Sequence, residues 1–490
     1  YGLAGEPFAL KVAVMDRLGN AQPGWKGSLE VEGQSHTLGP QDGGWHDFEL
    51  SLDAPGVYRV EVDAGELGAQ TSNPIVVTAE APDRQLYWGD IHVHHGHSTP
   101  DGAGGQVNDN HTYARDVIGL QVVSESMKLP PIEIEGEELW EYLQEDCVSA
   151  SAEDYLVLLG FEWMGNLVGE NQGHHNLYFD ACEVELTTHE ELGELAAEDG
   201  VYSWMEALEQ ATGVRSVAVP HATIYTGFNW ADRDDTLRSA VEIYSEWGNS
   251  VDAEQPGGVQ DALSKGFRLG FIAASDNHDG WMGNPFSEKS ARSGLAAFWA
   301  PELSRAAIWE SLQGKHTYGT TGSRILLDIE LSDRRGSVRE GELAVAEAPT
   351  LRWTAHGTDT ISRVRVLAVD QTQAGAALEL VRLEPGELDT EGSLALSDWT
   401  GQDLAVWVAL AQDDGEQAWS TPIYLTQDCA QGGADISGLC GSDSAEPDDT
   451  GPATHDSEDS GPRSRCDEGC GGSGSALLLL PGLLLARRRR

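Results

Sequence analysis

The stretch Leu86–Gly105, LYWGDIHVHHGHSTPDGAGG, decides how the chain is read: an apolar run ends in a burst of histidines and then in glycines. Residues two apart on a strand share a face, so His92 and His94 aim at one point while Ile91 and Val93 pack the other way. Two neutral imidazoles converging from one strand end offer two nitrogen lone pairs to a single cation. A lone HxH also occurs at ordinary solvated strand ends, so the other ligands must come from elsewhere in the chain.

Working outward, Leu86 to Asp328 alternates apolar runs with amphipathic stretches. Strands are expected at Leu86–Ile91, Gly119–Ser124, Tyr155–Trp163, Asn176–Phe179, Ser216–Pro220, Ala240–Tyr244, Leu269–Ser275 and Leu295–Trp299. Helices are expected over Val201–Thr212 and over Pro301–Gln313, the latter with proline at its start. Strands alternating with helices imply parallel β/α units, and this number of runs over roughly 240 residues fits a closed barrel. The ligand-type residues fall at strand ends. Glu162 closes YLVLLGFE, His174 sits in GHHN just before a strand, His221 follows SVAVP, and Asp276 with His278 follow LGFIAAS. Asp276 and His278 repeat the spacing of His92 and His94. In a β/α barrel the strand ends converge on one rim, so residues this far apart in sequence can share a pocket.

Around this segment the pattern is β throughout. Residues 1–82 read as an immunoglobulin-like β-sandwich and 326–427 as a second sandwich, giving an α/β chain whose distorted β/α barrel, 83–325, is flanked on both sides. Residues 428–470 are acidic and rich in Gly, Ser and Pro, and are expected to be a disordered linker. With 81 acidic against 30 basic residues and a formal charge of −51, the chain would repel nucleic acid and anionic membrane. A phosphate-bearing substrate is compatible only if bound metal reverses the local field.

None of the six cysteines forms a CxxC pair. Cys429 and Cys440 are expected to pair in an oxidising compartment, with Cys147 and Cys182 a second candidate. The sequence begins at Tyr1, without Met or a signal peptide, which fits either a removed leader or a fragment. Residues 471–490 hold ALLLLPGLLLA and four arginines. The apolar run falls short of the ~20 residues that span a bilayer as a helix. The arginines act as a cytoplasmic stop that leaves the preceding chain outside. Together with Cys470, this end resembles the C-terminal sorting tails of myxobacterial exported proteins. The resemblance implies processing near Cys470, membrane contact through the tail alone, and an exported protein at the cell surface or outer membrane, or secreted after processing.

Residues from about 86 to 425 resemble the polymerase-and-histidinol-phosphatase (PHP) superfamily, most closely its large exported branch of uncharacterised function. The resemblance is carried by YWGDIHVHHGHS, GFEW, GHHNLYF, VPH, VEIYSEWGNS, GFIAASDNH, KHTYGTTGSRI and AWSTPIYL. It implies a distorted β/α barrel that holds two or three divalent metals and hydrolyses phosphoesters. Position by position, His92, His94, Glu162 and Asp276 would hold one ion, Glu162 would bridge to a second held by His174 and His221, and His278 would belong to a third site. The chain departs from the pattern at Ser124-Glu125-Ser126, where the family writes Thr-Asp-His. Pro100 and Asp101 stand where a further histidine is usual, with His95 or His97 as substitutes.

A binuclear site with Zn, Mn or Fe is therefore expected. Asp276 and His278 take the catalytic roles, Asp276 orienting water and His278, freed from a third metal, donating a proton to the leaving group. The expected activity is that of an exported metal-dependent hydrolase, a phosphoesterase, acting on a small-molecule or phosphoester substrate. Amidohydrolases also open on HxH, but Glu162 at the bridging position and the Asp276–His278 pair favour the phosphoesterase. A reading of a different class is a surface-tethered structural or ligand-binding protein whose degenerate site keeps metal without turnover. Trp163, Trp204, Trp247 and Trp309 read as core or pocket wall, and Arg324 as an anion holder or a structural ion pair.

Overall fold

The strands that surround the histidines form because most of their residues are apolar and both faces are covered. β1 (Gln85–Asp90), β6 (Ser216–His221), β7 (Ala240–Ser245), β8 (Gly270–Ala273) and β9 (Leu295–Ala300) are almost wholly buried. The computed structural model describes residues 1–95, 107–128, 136–164, 173–185, 200–226, 228, 230, 236–285, 292–333, 336–344, 348–396 and 403–426. The expected linker, the Cys429–Cys440 pair, the C-terminal tail and His97 lie outside them.

The protein is mixed α/β and strand-rich, with several sheets. β1 runs parallel to β2 (Val122–Val123), which runs parallel to β3 (Leu156–Val157), as β/α units require. β7 and β8 are also parallel. Elsewhere the pairing departs from a single parallel ring. β4 (Leu159–Met164), β5 (His174–Phe179) and β6 form an antiparallel sheet, and β9 lies antiparallel to β1. For β4 and β5 the physical reason is connection length: the link from Met164 to His174 is shorter than the dozen or so residues a parallel crossover needs, so the chain returns antiparallel. The expected strand Tyr155–Trp163 divides at Leu158, its first half pairing with β2 and its second with β5. Isolated parallel bridges, Val93 with Asn277 and Lys128 with Glu162, tie strand ends from different sheets together.

Beneath these ends lies one apolar cluster drawn from every sheet of the region, including Ile91, Leu158, Tyr178, Val219, Ile272 and Phe298. Helix α1 (Val107–Thr112) continues into a π-helical stretch, Tyr113–Ile118, followed by α2 (Gly136–Ser149) and α3 (Gly200–Thr212). The helix expected from Pro301 begins instead at Arg305 as α4 (Arg305–Gln313). Ser304 is the cap, its side chain accepting from the backbone N–H of Ala307 at 3.2 Å, and a cap with a bonded side chain outranks a proline as a start. No helix among the described residues is long and apolar enough to cross a membrane.

The strands of residues 1–78 enclose a separate core that includes Leu29, Val31, Phe48, Leu50 and Val62. At the other end, β10 (Thr317–Thr320) pairs with Gln417–Ser420, so the sheet containing β1 continues into the antiparallel strands Leu404–Gln412, Thr350–Asp370 and Leu326–Asp333. Cys147 of α2 and Cys182 after β5 form a disulfide. Arg324 forms no ion pair among the described residues: its guanidinium donates to the carbonyls of Ile118 and Gly119 at 2.7 and 3.0 Å.

Candidate metal centre

The site begins with how β1 ends. The carbonyl of Ile91 accepts from Tyr178 Oη at 2.6 Å and from Ser126 Oγ at 2.8 Å, which holds the turn where the strand gives way to histidines. Ser126 thus bonds backbone. Asp90 accepts from the backbone N–H of Ser275 at 3.0 Å and of Gly283 at 2.8 Å, strapping the segment after β8 to β1. That segment is laced to the histidines by Asp276 N–H to His92 O (2.8 Å) and His94 N–H to Asn277 O (2.9 Å). Asp276 adopts φ +51°, a left-handed conformation unusual for a non-glycine residue and typical of residues held for function. Gly89 permits the close approach of β2: a Cβ there would lie 2.4 Å from Val122 O.

These constraints bring together side chains from five strand ends. His92 Nε2 is 3.2 Å from His94 Nε2 and 3.3 Å from Asp276 Oδ1, and His94 Nε2 is 3.4 Å from the same oxygen. Glu162 divides its oxygens: Oε1 faces His174 Nδ1 at 2.6 Å and His221 Nε2 at 3.1 Å, while Oε2 faces His94 Nε2 at 3.3 Å. Of the residues expected from sequence, His92, His94, Glu162, His174, His221 and Asp276 therefore meet in one cluster. His278 stands at its edge, its ring 4.4 Å from that of His94, with Nδ1 3.2 Å from the backbone O of Asp276 and Nε2 3.4 Å from Lys128 Nζ. His175 faces the other way, toward Tyr202 Oη at 2.9 Å. Trp163 is partly buried and Trp204 and Trp309 are core, but Trp247 is 40% exposed and donates its indole N–H to the backbone O of Asp276 at 3.2 Å.

Sequence reasoning missed two members of this cluster. Glu242, buried in β7, accepts from His92 Nδ1 at 2.8 Å and so leaves Nε2 as the nitrogen turned to the cluster. Its signal was visible: a carboxylate within the apolar run AVEIYS needs a reason to be buried. Lys128 Nζ lies 3.8 Å from Glu162 Oε2 and beside His278, placed there by the chain's bridge to β4, which no local pattern announces.

The buried imidazoles and carboxylates shift one another's protonation. Burial disfavours the His92 imidazolium, but Asp276 and Glu242 outweigh it and lift the pKa to about 10. Burial holds His94 below the ordinary imidazole value. Glu162 is driven well below the carboxylate range, bonds from His174 and His221 overcoming its burial, and Asp276 is lowered likewise despite burial, chiefly by His92. The donors fit a divalent cation on three counts. Imidazole nitrogen and carboxylate oxygen are its usual ligands, two Nε2 atoms 3.2 Å apart leave room for at most one proton between them, and Glu162 Oε2 is buried without a hydrogen bond. Two overlapping ligand groups result, His92–His94–Asp276 and His92–Glu162–His221.

Fold and site together define a mixed α/β protein with a buried histidine–carboxylate centre suited to divalent metal. Residues 282–329 match the model of a family of unknown function, DUF3604. The chain is similar to uncharacterized proteins of Chlamydia pneumoniae, 24% identical over 409 residues, and of Chlamydia trachomatis, 24% over 415 residues; each match takes in 77% of this chain. The chain spans 63% of the length of these curated relatives. A structural neighbour is a two-domain Bacteroides vulgatus protein containing a predicted PHP-like metal-dependent phosphoesterase. It is 14% identical, with 70% of this chain and 98% of that chain covered, at a TM-score of 0.35.

Proposed function

We propose that the chain is an exported metal-dependent hydrolase that cleaves phosphoesters, its strand ends closing into a distorted β/α barrel of the PHP kind between two β-sandwiches. The observation that carries the reading is Glu162, whose two oxygens face different sets of histidines and so occupy the position of a carboxylate shared by two cations. His92, His94, Asp276 and Glu162 would hold one ion, and Glu162, His174 and His221 the other. When bound, two ions of Zn, Mn or Fe would supply Lewis-acid charge to a phosphoester and acidify water.

The chain's own residues do the rest. Glu242 fixes the tautomer of His92. The tie of Asp276 N–H to His92 O keeps that carboxylate aimed at the cluster. Lys128 and His278, paired at the edge, offer a proton at Nζ or Nε2 to a departing alkoxide. Trp247, its indole N–H bonded to the backbone O of Asp276, braces the segment that carries that carboxylate. Export is supported by the Cys147–Cys182 disulfide and by the acidic composition, and the tail is proposed as the membrane contact. One observation favours the rival reading of a metal-binding protein without turnover: Ser126, in place of a histidine, is committed to Ile91 O.

The test is hydrolysis of bis(p-nitrophenyl) phosphate and p-nitrophenyl phosphate by chelator-stripped protein to which zinc or manganese is returned. Activity that depends on metal and disappears in His92→Ala and Asp276→Asn supports the hydrolase. A folded protein loaded with two metals yet inert toward both esters supports the binding reading instead.

A further inference from the structure

A second cluster of ligand-type side chains lies outside the centre described above. His111 on α1, Glu125 after β2 and Asp146 on α2 are all buried, and one ligand atom from each lies within 4.8 Å of the others. His111 Nε2 is 2.8 Å from Asp146 Oδ2 and 3.7 Å from Glu125 Oε1. The surrounding bonds aim these atoms inward. Glu125 gives its Oε2 to His95 Nε2 at 2.8 Å and to the hydroxyl of Tyr142 at 2.9 Å, which turns Oε1 toward His111. His111 Nδ1 lies 2.9 Å from Tyr155 Oη, which turns Nε2 toward the carboxylates, where a cation would take the place of the proton shared with Asp146.

Glu125 Oε1 is the independent sign of a ligand. It belongs to a residue 2% exposed, has no hydrogen-bond partner, and points into the space shared with His111 and Asp146. A buried carboxylate oxygen left bare beside a second carboxylate is costly unless a cation faces both. We propose that His111, Glu125 and Asp146 form a further divalent-metal site, with one imidazole nitrogen and two carboxylate oxygens suited to zinc or manganese. It differs from the third site implied by the family resemblance, because His278 stands beside Lys128 at the edge of the other cluster. Since α1, the segment after β2 and α2 each supply one ligand, the ion would clasp two helices to the end of the strand that follows β1 in the sheet.

The test uses zinc alone as the probe on the full chain. Anomalous difference maps from crystals grown in excess zinc are expected to show a peak at about 2.0–2.2 Å from His111 Nε2 and the two carboxylates, separate from density at His92 and Asp276. Metal analysis should show one zinc per chain fewer in His111→Gln, with the zinc at His92 and Asp276 retained. Absence of that peak from wild-type crystals at saturating zinc overturns the proposal and assigns the cluster to a hydrogen-bonded imidazolium, even if His111→Gln fails to fold. Because the two clusters give separate peaks, failure here leaves the hydrolase reading standing, and failure of that reading leaves this site standing.

Discussion

Replacing Glu242 by Gln tests how the metal centre is held without touching a proposed ligand. Glu242 is 1% exposed and accepts the Nδ1 proton of His92 at 2.8 Å, so its charge both orients the ring and makes Nε2 a stronger donor. The amide of glutamine can accept the same proton, so the substitution removes charge while keeping shape and bond. Outer carboxylates of this type are worth about 10–100-fold in metal affinity, or about 1.4–2.7 kcal/mol. Glu242→Leu would also strand the buried Nδ1–H, adding about 1–3 kcal/mol of desolvation cost. Competition between protein and a chromogenic chelator for zinc measures both, with circular dichroism as a check on folding. Equal zinc affinity in wild type, Glu242→Gln and Glu242→Leu would refute the claim that His92 offers Nε2 to the cation.

Gly89→Ala should destabilise the protein by about 1–3 kcal/mol, since its Cβ would meet Val122 O at 2.4 Å and push β1 from β2; an unchanged urea midpoint would contradict this. Reducing the Cys147–Cys182 bridge, which closes a separation of 35 residues, should cost about 4 kcal/mol by the chain-entropy argument, read as a lower denaturation midpoint in dithiothreitol that the Cys147→Ala/Cys182→Ala variant no longer shows. Stability of the metal-free protein should also depend on pH through His92. Its pKa is raised to about 10 in the fold from an ordinary 6.5, so its contribution is fully present below about 6.5 and is lost as pH rises through about 10, at up to ~1.4 kcal/mol per pH unit. Urea unfolding of chelator-stripped protein from pH 6 to 10.5 measures the slope, and His92→Gln should flatten it.

Much of the candidate site was legible because its ligands sit at the ends of apolar runs, where a polar side chain is conspicuous. The HxH of His92 and His94, Glu162 at the close of YLVLLGFE and His221 after SVAVP all carry that mark. Less visible were residues whose role depends on what lies across from them. Lys128 reaches the cluster only because its backbone bridges to Glu162, and Glu125 reads as a substitution until His95, His111 and Asp146 are seen around it.

By itself the sequence marked the apolar runs that hold the strands, the residue types that could ligate metal, and a strongly acidic charge, because these follow from local periodicity and composition. The tertiary structure decided how the strands pair, antiparallel for β4 and β5 where the link is too short for a crossover, and which nitrogen of His92 faces the cluster. It also decided that Cys147 meets Cys182 and that a second group of ligands gathers at His111. These outcomes depend on distances between residues remote in the chain, and local sequence carries no record of such distances.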